Sequence, residues 1–390
     1  MSVVSRRNIR SLSQQELEGW LTAAGHARYR ADQILRWLYR RRVASWEEMG
    51  NLPQVLRSAL SAEFDLGVPD RVREQGAFDT TKKYLWRLRD GALIESVLIP
   101  ANPHQRGGAS DRKTLCVSTQ VGCAYGCRFC ASGLAGWKRN LLPDEIVGQI
   151  VAAENLLDEA LSSQGGGAGQ TGGSELPRHI DNLVFMGMGE PLANYAHLLT
   201  ALGILNGEWG LGIGARRITI STSGLVPEIR RLADESAQFR LAISLHGSTD
   251  EVRDQIMPIN KRYPLAELTD ACEYYSRKRG KMITLEYILI EGVNDDIRLT
   301  ESLAGLATRL RAKVNLIPYN TVEGLEWRRP STAQQDRFHA ALVDRRVPVT
   351  LRREKGHDID AACGQLRLRE EREGDQAMSL SVGSCSSTEN

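Results

Sequence analysis

Short apolar segments alternate with longer segments of helical periodicity from residue 114 onward. Alternation of this kind predicts a parallel α/β sheet with right-handed crossovers, and six core strands fit either an open barrel or a doubly wound sheet. Helical periodicity is clearest in residues 143–161, 226–235 and 332–346. The predicted strands are TLCVS (114–118), NLVFMG (182–187), RITIST (217–222), RLAISL (240–245), ITLEYIL (283–289) and KVNLIP (313–318), with VPVTLRR (347–353) as a seventh candidate.

The part of the chain before these strands has a different pattern. Apolar residues at helical spacing predict a small helical module over about the first 65 residues. Residues 83–100 predict a β-hairpin that turns at Asp90 and Gly91. The glycine-rich segment 162–174 predicts a flexible surface loop. We therefore expect a helical accessory domain (1–70), a hairpin and linker (71–110), an α/β core (111–356), a C-terminal segment (357–373) and a disordered tail (374–390).

Polar and apolar residues occupy opposite faces of the predicted strands. In LAISLHG (241–247), Ser244 and His246 lie on one face of the strand, and Leu241, Ile243 and Leu245 lie on the other face. In TLCVS, Cys116 lies on the polar face. A barrel filled only by packing would favour bulky branched residues inside. Small polar residues on the inner face therefore indicate space for a polar ligand, unless some of these strands are exposed edges.

Three cysteines follow the first core strand in the run CAYGCRFC, at Cys123, Cys127 and Cys130. Thiolates are the usual ligands of iron–sulfur clusters, and three of them would leave one iron of a four-iron cluster open to a small molecule. Zinc usually takes four N or S ligands from two pairs, and the chain has no second pair. The odd cysteine count and the lack of a secretory segment argue against a disulfide framework. The spacing favours a cluster, with zinc or inert thiols as alternatives.

Other candidate residues follow the remaining strands. Ligands of parallel α/β sheets bind at the carboxyl ends of strands. Gly189 and Glu190 follow the second core strand, Ser221 ends the third, His246 follows the fourth and Asn320 follows the sixth. A glycine in a tight turn or a single histidine is weak evidence taken alone. Their convergence at one edge of the sheet is the stronger indication of a site.

Composition sets broad limits on function. The chain is 42% hydrophobic and 25% charged with a net charge of +2, which is ordinary for a globular protein and neither requires nor excludes nucleic acid. No apolar run approaches membrane-spanning length and the N-terminus has no apolar signal core, so we expect a cytoplasmic protein without a membrane partner. In RWLYRRR (36–42), arginines alternate with aromatic residues, which suits RNA contact. A solvated helix face explains this run equally well.

The cysteine run resembles the signature of radical S-adenosylmethionine (SAM) enzymes. Taken with other long motifs, the chain resembles the RlmN/Cfr family of RNA adenine methyltransferases from its first helices to about residue 366. The proline in MGMGEP and the helical N-terminal module are more similar to RlmN than to Cfr. The motifs are CVSTQVGCAYGCRFCASG, VFMGMGEPLAN, STSGLVPEI, AISLHGSTDEVRDQIMPINK, NLIPYN and DIDAACGQL.

The resemblance implies a radical SAM partial (β/α)6 barrel and a role for each matching residue. Cys123, Cys127 and Cys130 would hold a [4Fe-4S] cluster whose open iron is chelated by SAM. Glu95 would be the proton acceptor, Cys363 the residue that carries a methyl group, and Cys116 the resolving thiol that forms a transient disulfide with Cys363. The implied SAM contacts are Gly189, Glu190, Ser221, Ser244, Leu245, His246 and Asn320.

The reaction that the resemblance implies is methylation of adenine carbon 2 in 23S rRNA, near the peptidyl transferase centre, and in tRNA next to the anticodon. Two SAM molecules would be used per turnover. One would methylate Cys363, and the other would be cleaved with an electron from a reductant such as flavodoxin or ferredoxin. Methylation at carbon 8, as in Cfr, is one alternative. A zinc-containing RNA-binding protein without catalysis is another.

Overall fold

The computed structural model describes residues 6–77, 80–100, 112–134, 136–163, 175–322, 324–352 and 364–373. The loop predicted across 162–174 is wrong for Ser162 and Ser163, which end a helix, and the rest of it lies outside these residues. The disordered tail predicted at 374–390 also lies outside them. None of the described helices combines the length and the apolar character needed to cross a membrane. The helices are α1 (Gln14–Ala23), α2 (Arg30–Tyr39), α3 (Gln54–Glu63), α4 (Ala131–Leu134), α5 (Pro143–Ser163), α6 (Tyr195–Asn206), α7 (Val226–Asp234), α8 (Asp250–Ile256), α9 (Leu265–Arg279), α10 (Leu299–Arg309) and α11 (Thr332–Asp344), and residues 365–373 are also helical.

A ten-stranded sheet organises the described chain, in the order β14-β13-β12-β11-β10-β9-β6-β5-β4-β3. Two pairs of short strands, β1 with β2 and β7 with β8, lie apart from it. The strands are β1 (Arg7–Asn8), β2 (Phe64–Asp65), β3 (Asp70–Gly76), β4 (Lys82–Arg87), β5 (Leu93–Pro100), β6 (Lys113–Cys116), β7 (Gln120–Gly122), β8 (Trp137–Asn140), β9 (Asn182–Phe185), β10 (Ile218–Thr222), β11 (Arg240–Ser244), β12 (Thr284–Leu289), β13 (Lys313–Pro318) and β14 (Val349–Leu351).

The seven strands from β6 to β14 in this order are parallel, which confirms the six core strands and the seventh candidate. Among the described residues, β14 pairs only with β13 and β3 only with β4, so the sheet stays open. The predicted partial barrel is confirmed. Its helix-facing side is apolar, as alternation requires: Leu115, Leu183 and Ile220 are fully buried in the core.

The predicted hairpin forms and extends the barrel sheet. Strands β4 and β5 are antiparallel, and the turn closes where Leu88 donates its N–H to the carbonyl of Ala92 at 2.9 Å. Strand β5 then pairs antiparallel with β6, so the hairpin and the barrel share one sheet. Strand β3, which the sequence pattern did not predict, pairs with β4 at the outer edge. This extension fixes the position of Glu95 relative to the barrel.

The N-terminal helices are held against the barrel by arginines of the RWLYRRR run. The buried guanidinium of Arg42 forms an ion pair with Asp158 on α5. Arg40 donates to the carbonyl of Glu208 at 2.8 Å. The hypothesis that the whole run contacts RNA is therefore wrong for Arg42, because its charge is already neutralised inside the protein. Arg36 remains 64% exposed, though it pairs with Glu175.

Candidate active site

A cavity of about 380 Å³ lies at the carboxyl ends of the parallel strands. Its volume falls in the range that small-molecule ligands and cofactors occupy. The barrel strands contribute inward-facing residues to its wall, and so does the cysteine run after β6. The structure thus brings together most of the residues that the sequence singled out: Cys116, Cys123, Cys127, Cys130, Gly189, Glu190, Ser221, Ser244, His246 and Asn320.

The three cysteines after β6 share one part of this wall. Burial raises the pKa of Cys123 to about 12, with the nearby thiol of Cys130 contributing to this rise. Burial also raises the pKa of Cys127 well above its usual value, with both other thiols contributing. The three sulfurs are therefore close enough to influence one another, and their thiolate forms need a compensating cation. This is the donor set that an iron–sulfur cluster uses.

A four-iron cluster and a single metal ion place different demands on these thiols. Thiolates of a four-iron cluster each bind a different iron, so they need not converge on one point. Zinc usually takes a closed set of four N or S ligands, whereas the cysteine run supplies three thiols to the cavity wall. Three thiols from one loop therefore fit a cluster with one open iron. The loop is fixed by backbone bonds, including Cys123 N–H to the Gly136 carbonyl at 3.1 Å.

A short β-hairpin supports this loop and was not predicted from the sequence. Strands β7 and β8 pair antiparallel on either side of the cysteine run. The side chains of Gln120 and Asn140 are hydrogen-bonded at 2.8 Å between the two strands. Gln120 also accepts the backbone N–H of Glu190 at 2.9 Å. The hairpin therefore connects the cysteine loop to the turn after β9.

Gly189 and Glu190 form that turn. Gly189 has φ +97, and a Cβ at this position would lie 2.5 Å from the Cβ of Gln120, so only glycine fits. The carboxylate of Glu190 accepts hydrogen bonds from Leu192 N–H and from both the N–H and the hydroxyl of Ser223, at 2.7–3.0 Å. Burial raises its pKa and these bonds oppose that effect. The carboxylate thus ties the turns after β9 and β10 together.

His246 presents a defined ring to the cavity. Its Nδ1 accepts the backbone N–H of Ile288 at 3.1 Å, so the proton of the neutral ring is on Nε2. Burial lowers the pKa of His246 to about 3, helped by the charge of Arg253, so the ring is neutral near pH 7. Its edge meets the ring of Phe129, with centroids 4.9 Å apart. His246 can therefore offer a ligand one N–H donor whose position is fixed.

Serine and asparagine side chains add polar groups to the wall. The hydroxyls of Ser221 and Ser244 lie 3.3 Å apart on neighbouring strands. Asn320 has a buried Oδ1 that accepts no hydrogen bond in the described structure. Leu245 differs, because its side chain points to the helix side of the sheet beside Cys272. A side-chain contact from Leu245 to a ligand in the cavity is not available, and a backbone contact stays a prediction.

Glu95 lies on β5 in a nearly closed environment. Its carboxylate is 3.0 Å from the Nζ of Lys83, and the two side chains are 2% and 0% exposed. It also accepts the backbone N–H groups of Gly364 at 2.8 Å and Arg367 at 2.7 Å. Glu95 therefore caps the N-terminus of the helix at residues 365–373. Lys83 lines the cavity, whereas Glu95 does not.

The C-terminal segment of the described chain begins at Gly364, next to the carboxylate of Glu95. Cys363 lies outside the described residues, and the residue after it, Gly364, has φ +90. A Cβ on Gly364 would lie 2.8 Å from the hydroxyl of Ser132, which lines the cavity. Cys116 also lines the cavity, and it pairs with Val97 on the strand that carries Glu95. Cys116 thus lines the cavity directly, whereas Glu95 and Gly364 lie behind its wall, Glu95 bonded to Lys83 and Gly364 next to Ser132.

The sequence interpretation overlooked two charged residues of the cavity. Lys83 and Glu286 both line it, on β4 and β12 respectively. Glu286 is the one charged residue in the strand sequence TLEYIL, which is a signal that the sequence does contain. Lys83 gives no such signal, because β4 also contains Lys82 and Arg87. Glu286 is 4% exposed, and only one of its two carboxyl oxygens has a hydrogen-bond partner.

Comparisons with known proteins agree with this arrangement. The family model described as "Ribosomal RNA large subunit methyltransferase N-terminal domain" matches residues 7–66, and the "Radical SAM superfamily" model matches residues 174–303. The chain is 56% identical to a probable dual-specificity RNA methyltransferase RlmN of Opitutus terrae, over 92% of this chain and 94% of the relative. It is 48% identical to the dual-specificity RNA methyltransferase RlmN of Anaeromyxobacter dehalogenans, over 92% and 91%.

A solved structure is similar over almost the same length. It is a radical SAM methyltransferase from Sphaerobacter thermophilus, with a TM-score of 0.82 and 44% sequence identity. The similarity covers 92% of this chain and 98% of that one. Both the helical module and the barrel are therefore shared with known methyltransferases.

Proposed function

Because the chain belongs to the RlmN family of radical SAM RNA methyltransferases, we propose that it methylates carbon 2 of adenine in 23S rRNA, near the peptidyl transferase centre, and in tRNA next to the anticodon. The observation that carries this proposal is that the cysteine loop and Cys116 line one cavity, and that the Glu95–Gly364 contact adjoins the wall of this cavity through Lys83 and Ser132. We also propose a cytoplasmic location, where thiols stay reduced.

Cys123, Cys127 and Cys130 would hold the [4Fe-4S] cluster that radical SAM proteins use. When bound, the cluster supplies an electron, delivered by a reductant such as flavodoxin or ferredoxin, for the cleavage of SAM. The polar residues opposite these thiols would position SAM. His246 offers a fixed Nε2–H donor, and Asn320 offers a buried acceptor without a protein partner.

The chemistry of the target explains why a cysteine is needed in addition to SAM. Carbon 2 of adenine is electron-poor and a weak nucleophile, so direct attack on a SAM methyl group is unfavourable. In the proposed route one SAM molecule methylates the thiolate of Cys363, and a second SAM molecule is consumed when that methyl group is activated. One hydrogen atom of the methyl group would leave with the 5′-deoxyadenosyl fragment of the second SAM molecule, and the resulting carbon, still attached to the Cys363 sulfur, would bond to carbon 2. Gly364 is covalently joined to Cys363, which supports placing this step beside Glu95.

Glu95 would take the proton from carbon 2. An ionised carboxylate has about four lone-pair sites. Lys83, Gly364 and Arg367 account for three donors to Glu95, so one lone-pair site remains unused, behind the Lys83 part of the cavity wall. Proton removal requires that the reacting carbon comes within hydrogen-bond reach of that site. The target adenine must leave its stack to do so, which costs a few kcal/mol.

Cys116 would complete turnover by attacking the sulfur of Cys363. This attack would form a disulfide between the two cysteines, break the bond between the Cys363 sulfur and the new carbon, and free the base, whose carbon takes up a proton to become the methyl group. The one electron left over would pass to an acceptor of the same class as the reductant. The buried position of Cys116 in the cavity wall supports this role. Cys272 serves as a comparison, because it is buried on α9 on the helix side of the sheet.

Product analysis tests the proposal. Protein reconstituted anaerobically with iron and sulfide is incubated with SAM, reductant and separate rRNA and tRNA fragments, and the digested RNA is compared with standards by mass spectrometry. We expect 2-methyladenosine. Formation of 8-methyladenosine instead would establish the carbon 8 alternative. Colourless, iron-free protein that binds RNA without modifying it would establish the zinc-protein alternative.

Cysteine variants test the route. Cys363→Ala should retain the cluster and SAM binding but form no methylated RNA. Cys116→Ala should accumulate protein crosslinked to RNA, visible on a denaturing gel. Cys272→Ala is the matched control and should give normal product. Normal methylation by Cys363→Ala would rule out the methyl-carrying role, and recovery of only uncrosslinked RNA from Cys116→Ala would rule out the resolving role.

A further inference from the structure

Glu286 is a charged residue inside the cavity that the proposed chemistry leaves without a role. It lies on β12 between Leu285 and Tyr287, which are buried in the core, and it faces the cavity as Ile288 does. Its Oε1 accepts a hydrogen bond from the Asn315 side chain at 3.0 Å. Its Oε2 is buried and accepts no hydrogen bond in the described structure.

The position of Glu286 in the sheet places it beside residues already considered for ligand binding. It is in register with Ser244 on β11 and with Asn315 on β13. These three side chains form a polar row across adjacent strands. Arg352, which follows β14, also lines the cavity. Glu286 is therefore one strand away from a predicted SAM contact.

A comparison with Glu190 shows what is unusual about Glu286. Both carboxyl groups are buried in the wall of the same cavity. Glu190 uses both oxygens, which accept three hydrogen bonds from Leu192 and Ser223. Glu286 uses one oxygen. A buried polar atom without a partner is unfavourable, and such atoms are few in folded proteins. The unpartnered oxygen of Glu286 is therefore an acceptor that the described part of the chain leaves available to a ligand.

We propose that Glu286 is a ligand-binding residue whose Oε2 accepts a hydrogen bond from an O–H or N–H donor of the nucleoside in the cavity. Asn315 is then a positioning residue, because its hydrogen bond fixes the orientation of the carboxyl group. This inference rests on the proposed function, which supplies two adenosine-containing ligands. SAM and the RNA adenosine both carry ribose hydroxyls and an adenine amino group, so the same chemistry has two sources.

Glu286→Gln tests the inference with little change in shape. The amide oxygen can still accept the hydrogen bond from Asn315, while an NH₂ group replaces Oε2 and opposes a ligand donor. Loss of a hydrogen bond to a charged group should weaken binding roughly 10- to 100-fold. Equilibrium dialysis of reconstituted protein measures SAM affinity in one arm and RNA-fragment affinity in the other. The arm that loses affinity identifies the source of the donor.

The control for this variant is Glu267→Gln, an exposed carboxylate on α9. It should bind both ligands as the original protein does. Unchanged binding of both ligands by a folded Glu286→Gln variant would overturn the inference. Circular dichroism and thermal unfolding of both variants show whether the buried substitution has disturbed the fold.

Ligand analogues provide a second test on the unsubstituted protein. SAM analogues lacking the 2′- or 3′-hydroxyl remove ribose donors, a SAM analogue lacking the adenine amino group removes that donor, and RNA with purine or 2′-deoxyadenosine at the target position removes the corresponding RNA donors. At least one of these changes should weaken binding roughly tenfold or more. If none does, the inference is wrong whether or not the variant folds. Both tests read binding, so an unexpected methylation position would not affect them.

Discussion

The ion pair of Lys83 and Glu95 allows a quantitative test of how the C-terminal helix is attached. Lys83→Met keeps a long flexible side chain but removes the positive charge 3.0 Å from the Glu95 carboxylate. Removing one member of a buried pair typically costs 3–5 kcal/mol. Glu95 would keep the backbone donors of Gly364 and Arg367, so we expect the lower end, about 3 kcal/mol.

The assay is urea unfolding followed by circular dichroism, with hydrogen exchange of the 364–373 peptide as a local measurement. Lys82→Met is the matched control, because Lys82 is 37% exposed and pairs with Glu74 on the surface. That pair should contribute no more than about 1 kcal/mol. Adding Glu95→Gln to Lys83→Met should restore much of the lost stability, since no buried charge then lacks its partner.

Two results would refute this reasoning. One is a loss below about 1 kcal/mol for Lys83→Met, which would mean that the pair is not desolvated as the structure indicates. The other is a double variant that is no more stable than Lys83→Met, which would mean that the unpaired charge is not the cause. Faster hydrogen exchange confined to residues 364–373 would locate the effect at the helix that Glu95 caps.

Three further predictions concern other parts of the molecule. Gly189→Ala should abolish measurable SAM binding in dialysis, because the added Cβ would lie 2.5 Å from a neighbouring side chain; unchanged binding would show that the turn can relax. Arg42→Ala should lower the free energy of unfolding by about 3 kcal/mol. Arg41→Ala should instead reduce the slope of log binding constant against log salt concentration, for RNA binding, by about 1. The reverse pattern would contradict the placement of Arg42 inside the protein and of Arg41 at the RNA. Burial lowers the pKa of His246 to about 3 in the folded protein, compared with 6.5 in the unfolded chain. As the pH falls below 6.5, the unfolded chain therefore binds a proton that the folded protein does not, and the free energy of unfolding should decrease. In urea unfolding, His246→Gln should reduce that fall, and identical pH curves would exclude His246 as its source.

The barrel strands could be predicted where apolar and polar residues alternate along the sequence. ITLEYIL was predicted as a strand over 283–289, and β12 runs Thr284–Leu289, because every second residue is apolar and buried. Strand β3 was missed because DRVREQG has one large apolar residue, and its pairing with β4 decides its conformation. The β7–β8 pair was missed because its strands have only three and four residues, which is too short for alternation to show in the sequence.

The candidate site was predictable where it depends on strand ends and not where it depends on distant contacts. Parallel strands bring their carboxyl ends to one edge, so residues such as Ser221 and His246 meet without further information. The contact between Glu95 and Gly364 joins residues 269 positions apart, and no local pattern encodes it. Arg42 was assigned to a surface that it does not reach. A basic run on a helix does not reveal which of its arginines points into the protein.

Because β5 pairs antiparallel with β6, the sheet continues from the hairpin into the barrel, and the barrel cannot be separated from the preceding residues without breaking this pairing. Residues 97–100 pair with 113–116, so a fragment that started after residue 110 would have a bare strand edge along β6. Unpaired edges of this kind favour association with other chains. Such a fragment would also lose Glu95, the proposed proton acceptor, which anchors the helix at residues 365–373. Truncation is thus a poor way to obtain the catalytic half alone, and the hairpin must be kept in any shortened version.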